Sequence, residues 1–157
     1  MRTIVCVDGF NLYHRLLKHD RSLRWLNIEA LIRRMLFDND ELVAIKYYTA
    51  PVSKAIDEDA PRKQETYLNA LRSTPIVSTY FGSFLASEKW AGLIHPPRFK
   101  PELSEELQPP HPSVVRIRKF EEKGSDVNLG VHLVEDAYLN NFDLAIIVSN
   151  DTGLPPV

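Results

Sequence analysis

The stretch Ile4-Val5-Cys6-Val7-Asp8-Gly9 constrains this chain more than any other. A β-branched run too short for a helix, ended by an acid and a glycine, predicts a buried strand that hands a carboxylate to a turn, with a helix starting near Phe10. Open α/β sheets bind their ligands beyond the carboxyl ends of such strands. Two later stretches, Lys123-Gly124-Ser125-Asp126 and Ser149-Asn150-Asp151, carry further acids into the same kind of position.

The remaining pattern alternates between periods. Leu12, Leu16 and Leu17 follow at helical spacing to about Asp20, and Asn27 predicts an N-cap for a helix with Ile28, Leu31, Ile32, Met35 and Leu36 as its apolar stripe. Strand composition returns at Leu42–Thr49 and stops at Pro51. An amphipathic helix is expected from about Asp57 to Ser73, with Tyr67, Leu68 and Leu71 inward, then a strand from Ile76 to Leu85 that contains Gly82. Periodicity is lost over residues 86–113, where six of the eleven prolines gather, which predicts a surface insertion with neither helix nor central strand. Its Lys89, Trp90, Arg98 and Phe99 are candidates for stacking on and pairing with a single nucleic-acid strand. A strand over Val114–Phe120, a mostly buried helix capped by Ser125 and a central parallel strand over Phe142–Val148 complete an α/β pattern.

Composition narrows the function classes. A chain of 157 residues, 44% apolar and 25% charged, makes one soluble globular domain. Its net charge of −2 excludes a surface that grips nucleic acid by bulk electrostatics, so such a partner is met locally. The basic candidates are Lys123, beside the acidic stretch, and Arg62, Arg116 and Arg118. The single cysteine, Cys6, lies inside the first apolar run and reads as a small buried hydrophobe. With no apolar run of about 18 residues and no leader-like N-terminus, the expected setting is cytoplasmic, with no membrane contact.

The acids carry the chemistry. Plotted at about 100° per residue, Asp126 falls inside the apolar arc of its helix, and a carboxylate aimed at a core needs a cation, donors or solvent. Two strands that end in Asp, at Asp8 and Asp151, together with Asp126, suggest a convergent cluster that shares protons or binds a cation. Hard oxygen ligands point to Mg²⁺ or Mn²⁺. The five histidines and one cysteine show no zinc spacing, and no glycine loop of the Walker or dinucleotide type is present. An aspartyl-phosphate enzyme would carry a second acid two residues after Asp8, where Phe10 stands.

Val7-Asp8-Gly9-Phe10-Asn11, Glu121 to Leu129 with its Lys123-Gly124-Ser125-Asp126 core, and Phe142 to Asp151 together resemble the NYN domain, a branch of the PIN-like nucleases, across nearly the whole chain. The resemblance implies a three-layer α/β fold in which a mostly parallel central sheet is flanked by helices. It also implies a metal-dependent endoribonuclease, in which Asp8, Asp126 and Asp151 hold Mg²⁺ or Mn²⁺, Asn11 supports Asp8 by hydrogen bonding, and Ser149 and Asn150 belong to the last motif. The substrate it implies is RNA, expected to be single-stranded. Where the family pattern has a second acid two residues beyond that motif this chain has Gly153, so three carboxylates are expected, and a non-catalytic RNA- or protein-binding domain is the alternative. Family members continue with another helix and commonly a strand after the motif, whereas this sequence runs only to Val157; an uncovered apolar face there predicts a homo-oligomer or a protein partner.

Overall fold

The computed structural model describes residues 1–17, 19–52, 58–99, 102 and 108–149. In chain order the elements are β1 (Arg2–Asp8), α1 (Gly9–Leu12), α2 (Ile28–Met35), β2 (Glu41–Thr49), α3 (Ala60–Arg72), β3 (Val77–Phe81), β4 (Ser83–Gly92), β5 (Val114–Lys123), α4 (Ser125–Tyr138) and β6 (Leu144–Val148). A wholly parallel sheet of order β3-β2-β1-β6 forms the centre, so the protein is α/β with helices flanking a four-stranded sheet.

Period-two alternation along β1 divides the core. Val5 and Val7 pack with Ile28 and Ile32 of α2 and Leu68 and Leu71 of α3 on one face, whereas Ile4 and Cys6 pack with Tyr48 and Leu129 of α4 on the other. Cys6 is fully buried, and that burial pushes its thiol up to about 11. Asn27 caps α2 through a 2.9 Å bond from the Ala30 N–H to its side-chain oxygen.

Several elements depart from the sequence-based expectation. The helix expected over residues 10–20 is a four-residue α-helix followed by a π-helical turn at Tyr13–Leu17. The strand expected over residues 76–85 breaks at Gly82, a position that only glycine fits, since a Cβ there would lie 2.6 Å from Glu122 Oε1 and 2.7 Å from the Lys123 carbonyl. Residues 86–92, expected to be irregular, continue β4, and β4 pairs with β5 in a separate two-stranded sheet. The prolines behind that expectation all lie beyond Gly92. Residues Leu85–Glu121 form a compact unit of their own.

The largest correction concerns α4, expected to be mostly buried. Only its Ser125–Leu129–Asp136 side is buried, while Val127, Val131, Val134 and Tyr138 are exposed. Valines at this spacing form a second stripe, diametrically opposite the first, and a wheel cannot say which of two apolar stripes meets the sheet. Ser125 is also not the cap. Gly124, at φ 91°, holds that position without a side chain, and Glu122 Oε1 instead accepts from the Ser125 N–H at 2.9 Å. Finally, β6 is an edge strand among the described residues, whereas its continuous apolar run predicted a central one.

Candidate active site

The chain leaves β1 in two opposite directions across the sheet, through β2 and β3 on one side and through β6 on the other. Such a switch point is where open α/β sheets form a crevice at their carboxyl edge. Asp8, the last residue of β1, stands there, opposite Tyr48 of β2, while Val7 pairs with Val148 of β6.

Asp8 is 4% exposed, and three donors hold its carboxylate. The Asn11 N–H donates to Oδ1 at 3.0 Å, the Asn11 side-chain amide to Oδ2 at 2.7 Å, and the Ser149 hydroxyl to Oδ2 at 3.2 Å. The first is the N-cap bond of α1, so the turn that ends the strand also fixes the plane of the carboxylate. The second follows because Asn11 lies one helical turn on. Gly9 is required by close approach, since a Cβ there would run into the ring of Tyr47, whose hydroxyl donates to the Gly9 carbonyl at 3.4 Å.

The start of α4 comes to the same edge. Gly82, just past the end of β3, lies against Ser125, and the Asn128 side chain donates to the Phe81 carbonyl at 3.3 Å. Asp126, in the first turn of α4, is exposed. This corrects the placing of Asp126 inside a buried arc: the arc that meets the sheet is the Ser125–Leu129–Asp136 side. Two strand spacings, roughly 10 Å, separate β1 from β3 along the sheet. Asn150, Asp151 and Gly153 lie outside the described residues. Among the described residues no three His, Cys, Asp or Glu side chains gather as a metal site.

The basic candidates are spread over the chain. Arg62 pairs with Asp59 at 3.2 Å, Arg116 and Arg118 both pair with Glu88, and Lys123 is exposed at the end of β5. A polar cluster that the sequence pattern did not single out lies beneath α4. Lys46 of β2 and Asp136 of α4 form an ion pair at 2.5 Å, and Asn141 donates to Asp136 at 3.1 Å. Tyr48 bonds to His132 at 3.2 Å and stacks on Tyr80 with centroids 5.1 Å apart. Its signal was a lysine in an otherwise apolar strand.

Among the described residues three donors reach the Asp8 carboxylate, so of its about four lone pairs one, on Oδ1, has no donor there. A carboxylate oxygen is the kind of ligand a hard divalent cation takes, and among the described residues no two further acids gather around Asp8.

Fold and site together define an α/β protein with a buried, pre-oriented aspartate at the switch point of its sheet. A 6-hydroxy-3-succinoylpyridine 3-monooxygenase, HspA, of Pseudomonas putida (strain DSM 28022 / S16) is 27% identical across 99% of this chain and 54% of its own length. The chain therefore spans about half the length of that relative. No family model matches the chain, and no solved structure matches it.

Proposed function

We propose that this chain is a metal-dependent endoribonuclease that hydrolyses phosphodiester bonds of single-stranded RNA at the carboxyl edge of its sheet. The observation that carries the reading is Asp8, buried and held by Asn11 and Ser149 with one lone pair that meets no donor among the described residues. Asp8, Asp126 and Asp151 are the residues that would hold Mg²⁺ or Mn²⁺. The chemistry such an ion supplies when bound is a water acidic enough to attack phosphorus and a counter-charge for the phosphate. The Asn11 amide and the Ser149 hydroxyl keep the Asp8 carboxylate from rotating, so its open lone pair points one way throughout. Gly9, having no side chain, leaves room for the buried Tyr47 ring directly after Asp8, and the Tyr47 hydroxyl donates to the Gly9 carbonyl. Lys123, exposed at the end of β5, would meet RNA phosphate beside the start of α4. The resemblance to the NYN domain supports the same reading.

Incubation of labelled RNA with the protein and Mn²⁺ is expected to give cleavage that EDTA abolishes and that Asp8→Asn lowers by at least about 100-fold. Undiminished cleavage by both Asp8→Asn and Asp126→Asn would remove the proposal. RNA retention with no cleavage and no heat on Mn²⁺ titration would instead mark a binding domain.

The similarity to a monooxygenase favours a second reading, an oxygen-inserting enzyme acting on a hydroxylated pyridine. Such an enzyme places one atom of O₂ in its substrate and reduces the other to water with electrons from an added reductant. Oxygen uptake that depends on both pyridine and reductant, and is unaffected by RNA, would decide for it.

A further inference from the structure

We infer that one face of the β4–β5 hairpin is a binding surface for single-stranded RNA, with Trp90 as the stacking platform and Arg116 and Arg118 as the phosphate contacts. This rests on the proposed action on RNA. The Leu93 N–H donates to the Ser113 carbonyl at 2.9 Å, and Glu88 pairs with Arg116 and Arg118. As one strand number rises the other falls, so the strands are antiparallel, and the Leu93–Ser113 pair sets Trp90 opposite Arg116 and Glu88 opposite Arg118. All four side chains share one face because strand residues two apart point the same way. Trp90 is 69% exposed, which is unusual for so large an apolar surface on a strand, and the guanidiniums are exposed beside it. An open cleft of about 400 Å³ lies along Glu88, Arg116, Ile117 and Arg118.

The chemistry of this face selects its ligand. An indole offers a flat surface on which any unpaired base stacks, and guanidiniums offer forked donors to phosphate. Glu88 lies between the two arginines, so it orders them and leaves the group with one net positive charge. Exposed ion pairs of this kind are weak, and an arriving phosphate displaces the carboxylate. A protein partner would need a wide apolar surround, whereas Trp90 has Arg116 opposite and Arg118 on one diagonal, with Val114 the one apolar side chain of β5 beside it on that face.

The test is fluorescence anisotropy of a labelled oligouridylate of about 12 nucleotides, within the span of ordinary single-strand sites. EDTA in the buffer keeps the RNA whole. Trp90→Ala is expected to weaken binding by about 10-fold or more while Trp90→Phe retains it. Arg116→Ala should weaken binding and make the slope of log K on log salt shallower by about 0.7. Glu88→Gln should bind more tightly, and duplex RNA of the same length more weakly, since its bases are not free to stack. Equal affinity for Trp90→Ala and Trp90→Phe, a duplex bound as tightly as the single strand, or no binding by the parent protein would overturn the inference. RNA bound through Trp90 but left uncut with Mn²⁺ keeps this surface and removes the proposed nuclease. RNA cut with an unchanged Kd in Trp90→Ala does the reverse.

Discussion

Asn11 does two things for Asp8 with a single residue: its backbone N–H caps onto Oδ1 and its side-chain amide binds Oδ2. Asn11→Ala keeps the first bond and loses the second, so the carboxylate stays buried but regains freedom about its last torsion. Supporting partners of this kind typically matter 10- to 100-fold in metal affinity or activity. The expected outcome is therefore Mn²⁺-dependent cleavage lowered by about that factor, with a thermal midpoint close to the parent's. Mn²⁺ titration of both proteins checks it, and equal metal affinity and equal rate would show Asn11 to be a capping residue only. The Asp8–Asn11 bond was expected from the family resemblance alone, and it forms because both residues belong to one strand end and one turn. The Ser149 contact was legible only as a member of a motif, because 141 positions separate it from Asp8 and only the pairing of β1 with β6 brings them together.

Helix α4 shows how far periodicity reaches at the scale of an element. Its apolar residues form two stripes, and the sheet takes the narrower one, Leu129 with Leu133, while the valine stripe stays exposed. Two substitutions separate these roles. Leu129→Ala empties a site in the core cluster and is expected to cost about 2–5 kcal/mol. Val131→Ser, at a position 60% exposed, is expected to change the stability of the dilute protein by less than about 0.5 kcal/mol. Urea unfolding of both variants at one low protein concentration measures the difference. A large loss in Val131→Ser would show that the valine stripe is covered. The β4–β5 hairpin teaches the converse lesson, for a proline-rich composition over residues 86–113 concealed a strand that ends before its first proline. Composition averages over a window, but proline acts only where its own ring and missing N–H fall.

Over the whole molecule, acid stability depends on carboxylates held below their ordinary range. At Asp136 burial works against the charge, but hydrogen bonds from Lys46 and Asn141 and the nearby positive charge prevail and lower it. Asp143 is lowered by hydrogen bonds to the Arg2 side chain and backbone, and Asp20 by those from Ser22. A carboxyl with a folded value below its unfolded one contributes stability that is complete above the unfolded value, about 3.9, and is lost as pH falls through the folded value. The denaturant midpoint should thus hold steady through neutral pH and fall below about pH 4. Asp136→Asn, which leaves Lys46 facing a neutral partner beneath α4, should cost roughly 3 kcal/mol at neutral pH and progressively less in acid. Guanidinium titrations across that range check the sign, and a midpoint that rose on acidification would contradict it. No helix among the described residues is long and apolar enough to cross a membrane.

By itself the sequence determined the α/β class, the chain order of the four parallel strands and the helices between them, the N-cap at Asn27 and an aspartate at the end of the first strand. All of these depend on contacts within a few residues, where backbone period and turn chemistry decide. Only the tertiary structure decided which stripe of α4 meets the sheet, that Lys46 finds Asp136, that Ser149 reaches Asp8, and that Glu88 pairs with Arg116 and Arg118. Each of these is a choice among partners distant in the chain, and pattern along a chain carries no record of which distant surface wins.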